Sequence, residues 1–263
     1  MLTMKTGLFL ALAVFGAIYL LTWISALIKA HKSESVAPNP LQLAIGFIAN
    51  FFDTLGIGSF ATTTSFYKLW KIVKDEYIPG TLNVGHTLPT ITQAFIYIAI
   101  VEVDMKTLVL LIASSVLGMW LGAGVVSKLP RRAIQIGMGI ALIVAAGLML
   151  MTIFNKSASG GLTYGLEGTR LIVGVIGNFT LGALMSLGIG LYGPCLIMIS
   201  LLGMNPTTAF PIMMGSCAFL MPTAGMRVIR AQRYSLRCAL GLTLGGIPGV
   251  LVAAAAASVL SVA

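Results

Sequence analysis

The sequence predicts an all-α integral membrane protein: about eight full transmembrane helices plus two short or re-entrant segments, arranged as an inverted repeat. Three observations predict it. First, the 263 residues are 58% hydrophobic and 9% charged, with a mean hydropathy of +1.00, whereas a soluble domain carries about 25% charge. Second, apolar segments follow one another along the chain, most of them reaching the ~20 residues that a ~30 Å hydrocarbon core requires. Third, the tetrapeptide Leu-Gly-Ile-Gly stands at 55–58 and again at 187–190, each time within a long apolar stretch.

The apolar segments run over 7–28, 41–58, 59–70, 82–100, 107–127, 132–154, 170–190, 192–203, 208–226 and 238–261. Gly7 to Ile28 is long for a signal-peptide core and has only Lys5 before it among basic residues, so it reads as a retained membrane helix. Segments 59–70 and 192–203 are short, follow the two Leu-Gly-Ile-Gly motifs, and occupy equivalent places. Each is a short span or the returning arm of a re-entrant hairpin, which requires surrounding protein or a water-filled cavity.

The flanks of the motifs extend the repeat. Gly46 to Phe60 reads GFIANFFDTLGIGSF, and Asn178 to Tyr192 reads NFTLGALMSLGIGLY. Phe47 matches Phe179, Thr54 matches Ser186, and Phe60 matches Tyr192. Farther on, Val84-Gly85 matches Met214-Gly215 and Gly118 matches Gly249, with a drift of one or two residues. The chain therefore divides into an extra N-terminal helix and loop (1–40), a first repeat (41–131), a connecting helix and outer loop (132–168), and a second, inverted repeat (169–263).

Charge sets the threading. The net charge of +9 would suggest nucleic acid in a soluble protein, but here the bases lie in short loops between apolar runs. If 41–70 and 170–203 each enter and return, one set of loops holds Lys29, Lys32, Lys68, Lys71, Lys74, Lys128, Arg131, Arg132, Arg227, Arg230, Arg233 and Arg237. The other holds only Lys5, Lys106, Lys156 and Arg170. That asymmetry places both termini outside, in a multi-pass arrangement. Three full spans then separate the two returning blocks, so the second block starts from the opposite side and the copies are inverted. Cys195, Cys217 and Cys238 are an odd set with no C-x-x-C spacing and read as buried apolar residues. Glu102 and Asp104, beside Lys106, read as a solvated outer turn. No metal site or cofactor is expected, and the partners are membrane lipids and a small anionic substrate.

That anion is inferred from the centres of the two copies, which are rich in small polar groups. Gly56, Gly58 and Ser59 precede Thr62 and Thr63; Gly188 and Gly190 precede Tyr192, Gly193, Pro194 and Cys195. Glycines there let the backbone turn and expose N–H groups at the start of a new helix, a setting that suits a small oxyanion without a basic side chain. Asp53 is the acidic residue well inside an apolar segment: it is either a proton-coupling group or a structural carboxylate hydrogen-bonded to backbone near Gly56. Its counterpart is Met185, so the acid is not part of the repeat. His86 and its counterpart Ser216, together with Asn83, either face the cavity or serve as ordinary interfacial hydrogen-bonders.

With these residues in view, GFIANFFDTLGIG, the second-copy LGIGLYGPCLIM, and the small-residue spans after Pro79 and Pro206 resemble the TauE/SafE sulfite-exporter family (TSUP) over roughly 41–261. The resemblance implies an inner-membrane transporter for small sulfur-containing anions such as sulfite, thiosulfate or organosulfonates, working by alternating access. The second copy follows the family's glycine-then-proline pattern; the first has Ser59-Phe60 where further glycines are expected and Thr62 where a proline falls. The competing functions are a passive anion channel and a membrane-embedded lipid-pyrophosphate phosphatase. The phosphatases resemble this chain in architecture only, since they use an embedded glutamate pair and an arginine-bearing loop. This sequence has no Glu inside an apolar run and no Arg near either glycine motif.

Overall fold

A computed structural model describes residues 3–31, 37–126, 161–185 and 190–260, with isolated positions between 132 and 143. Most of the expected span 132–154 and the motif residue Gly188 therefore lie outside the described residues. The described chain is helical: α1 (Met4–His31), α2 (Pro40–Thr54), α3 (Ser59–Leu69), α4 (Ile78–Gly85), α5 (Thr87–Ile100), α6 (Met105–Val126), α7 (Gly168–Met185), α8 (Tyr192–Leu201), α9 (Ala209–Ala231) and α10 (Leu236–Leu260). Short 3-10 turns precede α4 at Asp75–Tyr77 and α9 at Pro206–Thr208. Among the described residues four helices are long and apolar enough to cross a membrane, over Met4–Lys29, Gly168–Met185, Pro206–Ala231 and Leu236–Ala257. Met105–Leu121 and Tyr192–Leu201 are shorter apolar helices.

The order helix, short helix, 3-10 turn, helix occurs twice. Ile78 and Ala209, Ile100 and Ala231, and Met105 and Leu236 bound equivalent elements and stand the same distance apart along the chain. The short helices α3 and α8 have 11 and 10 residues. At 1.5 Å per residue each is about 15 Å long, roughly half a hydrocarbon core.

Two compact units are formed, one from Met1–Ile96 with Cys217–Ala263, the other from Tyr97–Ser216. In the first, α1 packs through one stripe, Leu12, Tyr19 and Trp23, and leaves Leu10, Val14, Ile18 and Leu21 exposed, the asymmetry of a helix with protein on one side and lipid on the other. Tyr19 and Trp23 join a core with Val84, Ile229 and Ala239, and the Tyr19 hydroxyl donates to the Val84 carbonyl at 2.7 Å. α2 starts at a capping box: Asn39 Oδ1 accepts the Gln42 N–H at 2.8 Å, and Gln42 Oε1 accepts the Asn39 N–H at 2.9 Å. It lies so close to α10 that a Cβ on Gly249 would come within 2.4 Å of the Phe47 carbonyl oxygen. Within the second unit α6 and α7 meet in the equivalent way, with a Cβ on Gly118 falling 1.9 Å from the Phe179 carbonyl oxygen. Small residues at these crossings let membrane helices approach to backbone contact.

One sequence expectation is corrected. The span expected over 82–100 is interrupted at His86, between α4 and α5. Pro89 has no N–H to give to the Gly85 carbonyl four residues earlier; that carbonyl accepts the Thr243 hydroxyl instead, at 2.6 Å. Asp104 is exposed, as a solvated outer turn requires, and it also caps α6: its Oδ2 accepts the Thr107 N–H at 2.8 Å and the Thr107 hydroxyl at 2.7 Å. Burial of the carboxyl acts to raise its pKa, but these two bonds, a backbone bond from Lys106 and the Lys106 charge outweigh it and hold the value below the usual range.

A buried polar cluster beside the glycine turn

The turn after α2 follows from its glycines. Gly56 adopts φ 94°, its N–H bonds to the Asp53 carbonyl at 2.9 Å, and the Ile57 N–H bonds to the Phe52 carbonyl at 3.1 Å. This is the six-to-one and five-to-two pattern that closes a helix on a left-handed residue, a conformation in which any residue with a Cβ is strained. Gly58, at φ 92°, then reverses the chain into α3. The turn brings Asp53 to the first turn of the new helix, where its Oδ1 accepts the Ser59 N–H. A carboxylate of the chain itself thus meets the positive end of α3.

Residues 50, 53 and 54 share one face of α2 by helical spacing, and Asn50, Asp53 and Thr54 are all buried. Facing them from α5, Gln93 Nε2 donates to Asp53 Oδ2 at 2.9 Å and to Thr54 Oγ1 at 2.9 Å. The Thr54 hydroxyl donates to the Asn50 carbonyl at 2.7 Å. His86, seven residues before Gln93 and so on the same helical side, meets Asn50 Oδ1 through Nδ1 at 3.1 Å and Thr63 Oγ1 through Nε2 at 3.0 Å. The Phe60 ring lies 6.1 Å from the imidazole, centre to centre. Asn50, Thr63 and His86 are each wholly buried.

These bonds fix directions. Asn50 Nδ2 lies 2.8 Å from the Gly46 carbonyl and 3.5 Å from the Leu242 carbonyl, both of which only accept. The amide oxygen therefore faces His86, and His86 Nδ1 carries the hydrogen. In the neutral ring Nε2 is then the bare nitrogen, and Thr63 donates to it.

The second unit holds a smaller counterpart. Asn178 Nδ2 donates to the Leu111 carbonyl at 2.7 Å and to Ser216 Oγ at 3.0 Å. Leu111 corresponds to Leu242 in the repeat and Ser216 to His86, so each unit contains an asparagine bridging the same two places. Among the described residues Asn178 Oδ1 and Asn83 Oδ1 are buried without a hydrogen-bond partner.

Of the residues singled out by sequence, Asp53, Ser59, Thr63 and His86 come together around Gly56 and Gly58. Thr62 is half-buried and returns its hydroxyl to the Gly58 carbonyl at 3.0 Å. Asn83 is buried nearby on α4, where its Nδ2 donates to the Pro79 carbonyl at 2.9 Å. In the second unit Tyr192 and Cys195 are buried on α8, Gly190 and Gly193 are half-buried, and Ser216 is buried on α9. Asn50, Gln93 and Asn178 were not singled out. An amide in the middle of an apolar run is the signal that marks Gln93.

The model of the TauE/SafE sulfite exporter family matches residues 2–150. The chain belongs to the TauE/SafE family. The match begins at α1, which the motif resemblance leaves outside, and takes in the whole α2–α5 cluster. No curated protein and no solved structure matches the chain. TauE/SafE proteins are membrane transporters, and with its series of apolar helices this member is a multi-pass membrane protein.

Proposed function

We propose that this TauE/SafE protein is a secondary transporter of small sulfur-containing anions (sulfite, thiosulfate or an organosulfonate), binding them at the polar cluster beside the α2–α3 turn and working by alternating access. The observation that carries the reading is this cluster of hydroxyl, amide and imidazole groups, buried at an interrupted helix in an otherwise apolar chain. Buried polar groups among membrane helices are costly and mark substrate pathways. The Ser59 hydroxyl and the Gly58 N–H, at the start of α3, supply donors without a basic side chain.

Alternating access rests on an inverted repeat with about eight full spans, two half-length helices and both termini outside. The matching element ends, the equivalent Gly118 and Gly249 contacts and the uneven loop charge support that arrangement. On this reading the protein lies in the inner membrane, and 41–131 and 169–263 are the two copies.

The test is uptake of radiolabelled sulfite, thiosulfate and methanesulfonate into vesicles containing the purified protein. A carrier gives saturable uptake that is accelerated by unlabelled anion on the other side. Flux that rises linearly and shows no such exchange would mean a passive anion channel. Absence of flux for every anion would sink the reading.

A further inference from the structure

We propose that His86 and Thr63 form the proton-coupling element of this transporter: a proton taken up at His86 Nε2 turns the Thr63 hydroxyl from the imidazole to the bound anion. The inference rests on the proposed anion transport and adds to it the ion with which the anion moves.

The argument is one of hydrogen-bond direction. Asn50 is pinned by the Gly46 and Leu242 carbonyls, so His86 Nδ1 donates to its Oδ1 in either charge state. Only Nε2 can change. While it is bare, the Thr63 hydrogen is committed to it at 3.0 Å, and Thr63 offers an anion only oxygen lone pairs, which repel it. When Nε2 binds a proton from solvent it becomes the donor, Thr63 Oγ1 accepts, and the hydroxyl hydrogen must find a new acceptor. An anion beside Thr63 provides one, and its negative charge also stabilises the imidazolium. Anion and proton therefore bind more tightly together than apart. Departure of the anion returns the hydroxyl to Nε2 as the proton leaves.

The surroundings single out this group. On the elements packed around it, Lys68, Asp75, Glu76 and Arg237 are exposed, while Tyr67 and Cys238 are buried. Asp53 is the carboxyl group of the same cluster, and both its oxygens already accept, from the Ser59 N–H and from Gln93. The coupling proton is thus assigned to the imidazole and not to that carboxylate.

The protein has two histidines, His31 and His86, so the His31→Gln variant labelled with nitrogen-15 in histidine reports His86 alone. Without anion the ring nitrogens should show the neutral Nδ1–H tautomer, the minor form of free histidine in water; an Nε2–H tautomer overturns the proposal. Binding of thiosulfate, whose charge is constant over this range, is then measured by calorimetry from pH 7.5 to 5.5. With one coupled proton the affinity should rise about tenfold per pH unit, and the imidazolium signal should grow with thiosulfate. His86→Gln and Thr63→Val should bind with no pH slope, and Thr63→Ser should restore it. Thiosulfate binding with a flat profile in the native protein overturns the coupling and leaves anion transport standing. No binding of any anion removes the transport reading, and this inference with it.

Discussion

Thr243 on α10 donates its hydroxyl to the Gly85 carbonyl on α4 at 2.6 Å, in the place left by Pro89. The interruption that turns His86 toward Asn50 is therefore held from another helix. Thr243→Val keeps the shape and removes the donor, leaving a buried carbonyl unsatisfied. The expected cost is about 1–3 kcal/mol, read as a lower melting temperature in detergent, while Thr243→Ser stays near the native value. Equal behaviour of the two variants would show that the hydroxyl does not hold the interruption.

Gly118 and Gly249 sit where two helices touch through backbone. An added methyl meets the Phe179 carbonyl oxygen at 1.9 Å or the Phe47 carbonyl oxygen at 2.4 Å, and a carbonyl cannot swing aside as a side chain can. Gly118→Ala and Gly249→Ala should each destabilise by about 1–3 kcal/mol, the range for overpacking. Gly7, on α1, has nothing within 4 Å of the added position, so Gly7→Ala should be neutral or gain up to about 1 kcal/mol from helix propensity. Melting temperatures of the three variants in one detergent check the contrast.

How far the sequence could be read follows from what lipid demands. Apolar length marks helices because backbone in hydrocarbon must bond to itself, and the helix-ending role of Gly56 follows from the glycine itself. The interruption at His86 was hidden because its cause, Pro89, lies three residues later inside an apolar run, and the carbonyl it orphans is satisfied from a distant helix. The asparagines escaped for a different reason. In the aligned repeats Asn50 falls opposite Gly182 and Asn178 opposite Gly46. The two copies exchange amide and glycine over one helical turn, so matching column by column hides two side chains with the same task. Reading G-x-x-x-N against N-x-x-x-G exposes them.

Asp53 and Gln93 test whether the carboxylate organises the turn. Asp53→Ala removes the acceptor for the Ser59 N–H and one partner of Gln93. The loss of a helix-capping acceptor costs about 0.5–2 kcal/mol, with a further cost for the buried amide left without it. In Asp53→Asn the new Oδ1 still accepts from Ser59, and Gln93 must flip its amide to accept from the new Nδ2. That flip also suits Thr54, whose hydroxyl donates to the Asn50 carbonyl, only if the hydroxyl turns toward Gln93. Stability should therefore fall in the order native, Asn, Ala. Hydrogen exchange at the start of α3 should rise in the alanine variant first. An alanine variant as protected there as the native protein would show that the carboxylate does not hold the turn.

Asp104 gives the protein an acid-dependent contact at the start of α6. Its carboxyl has a pKa held below the usual carboxylate range: burial pushes the value up, but the bonds from Thr107 and Lys106 and the Lys106 charge outweigh it. A group whose folded value is lowered contributes stability that is present above the unfolded value, near 3.9, and is lost as the pH falls through the folded value. Asp104→Asn keeps an oxygen for the Thr107 N–H and abolishes the titration. The native protein should therefore melt above this variant at neutral pH, the gap should close as the pH drops through and below the ordinary carboxylate value, and Asp104→Ala should lie lower still, by about 1 kcal/mol for the lost cap. A gap that stays constant from neutral pH to pH about 3 would mean that the charge on Asp104 contributes nothing and that the cap works through its oxygen alone.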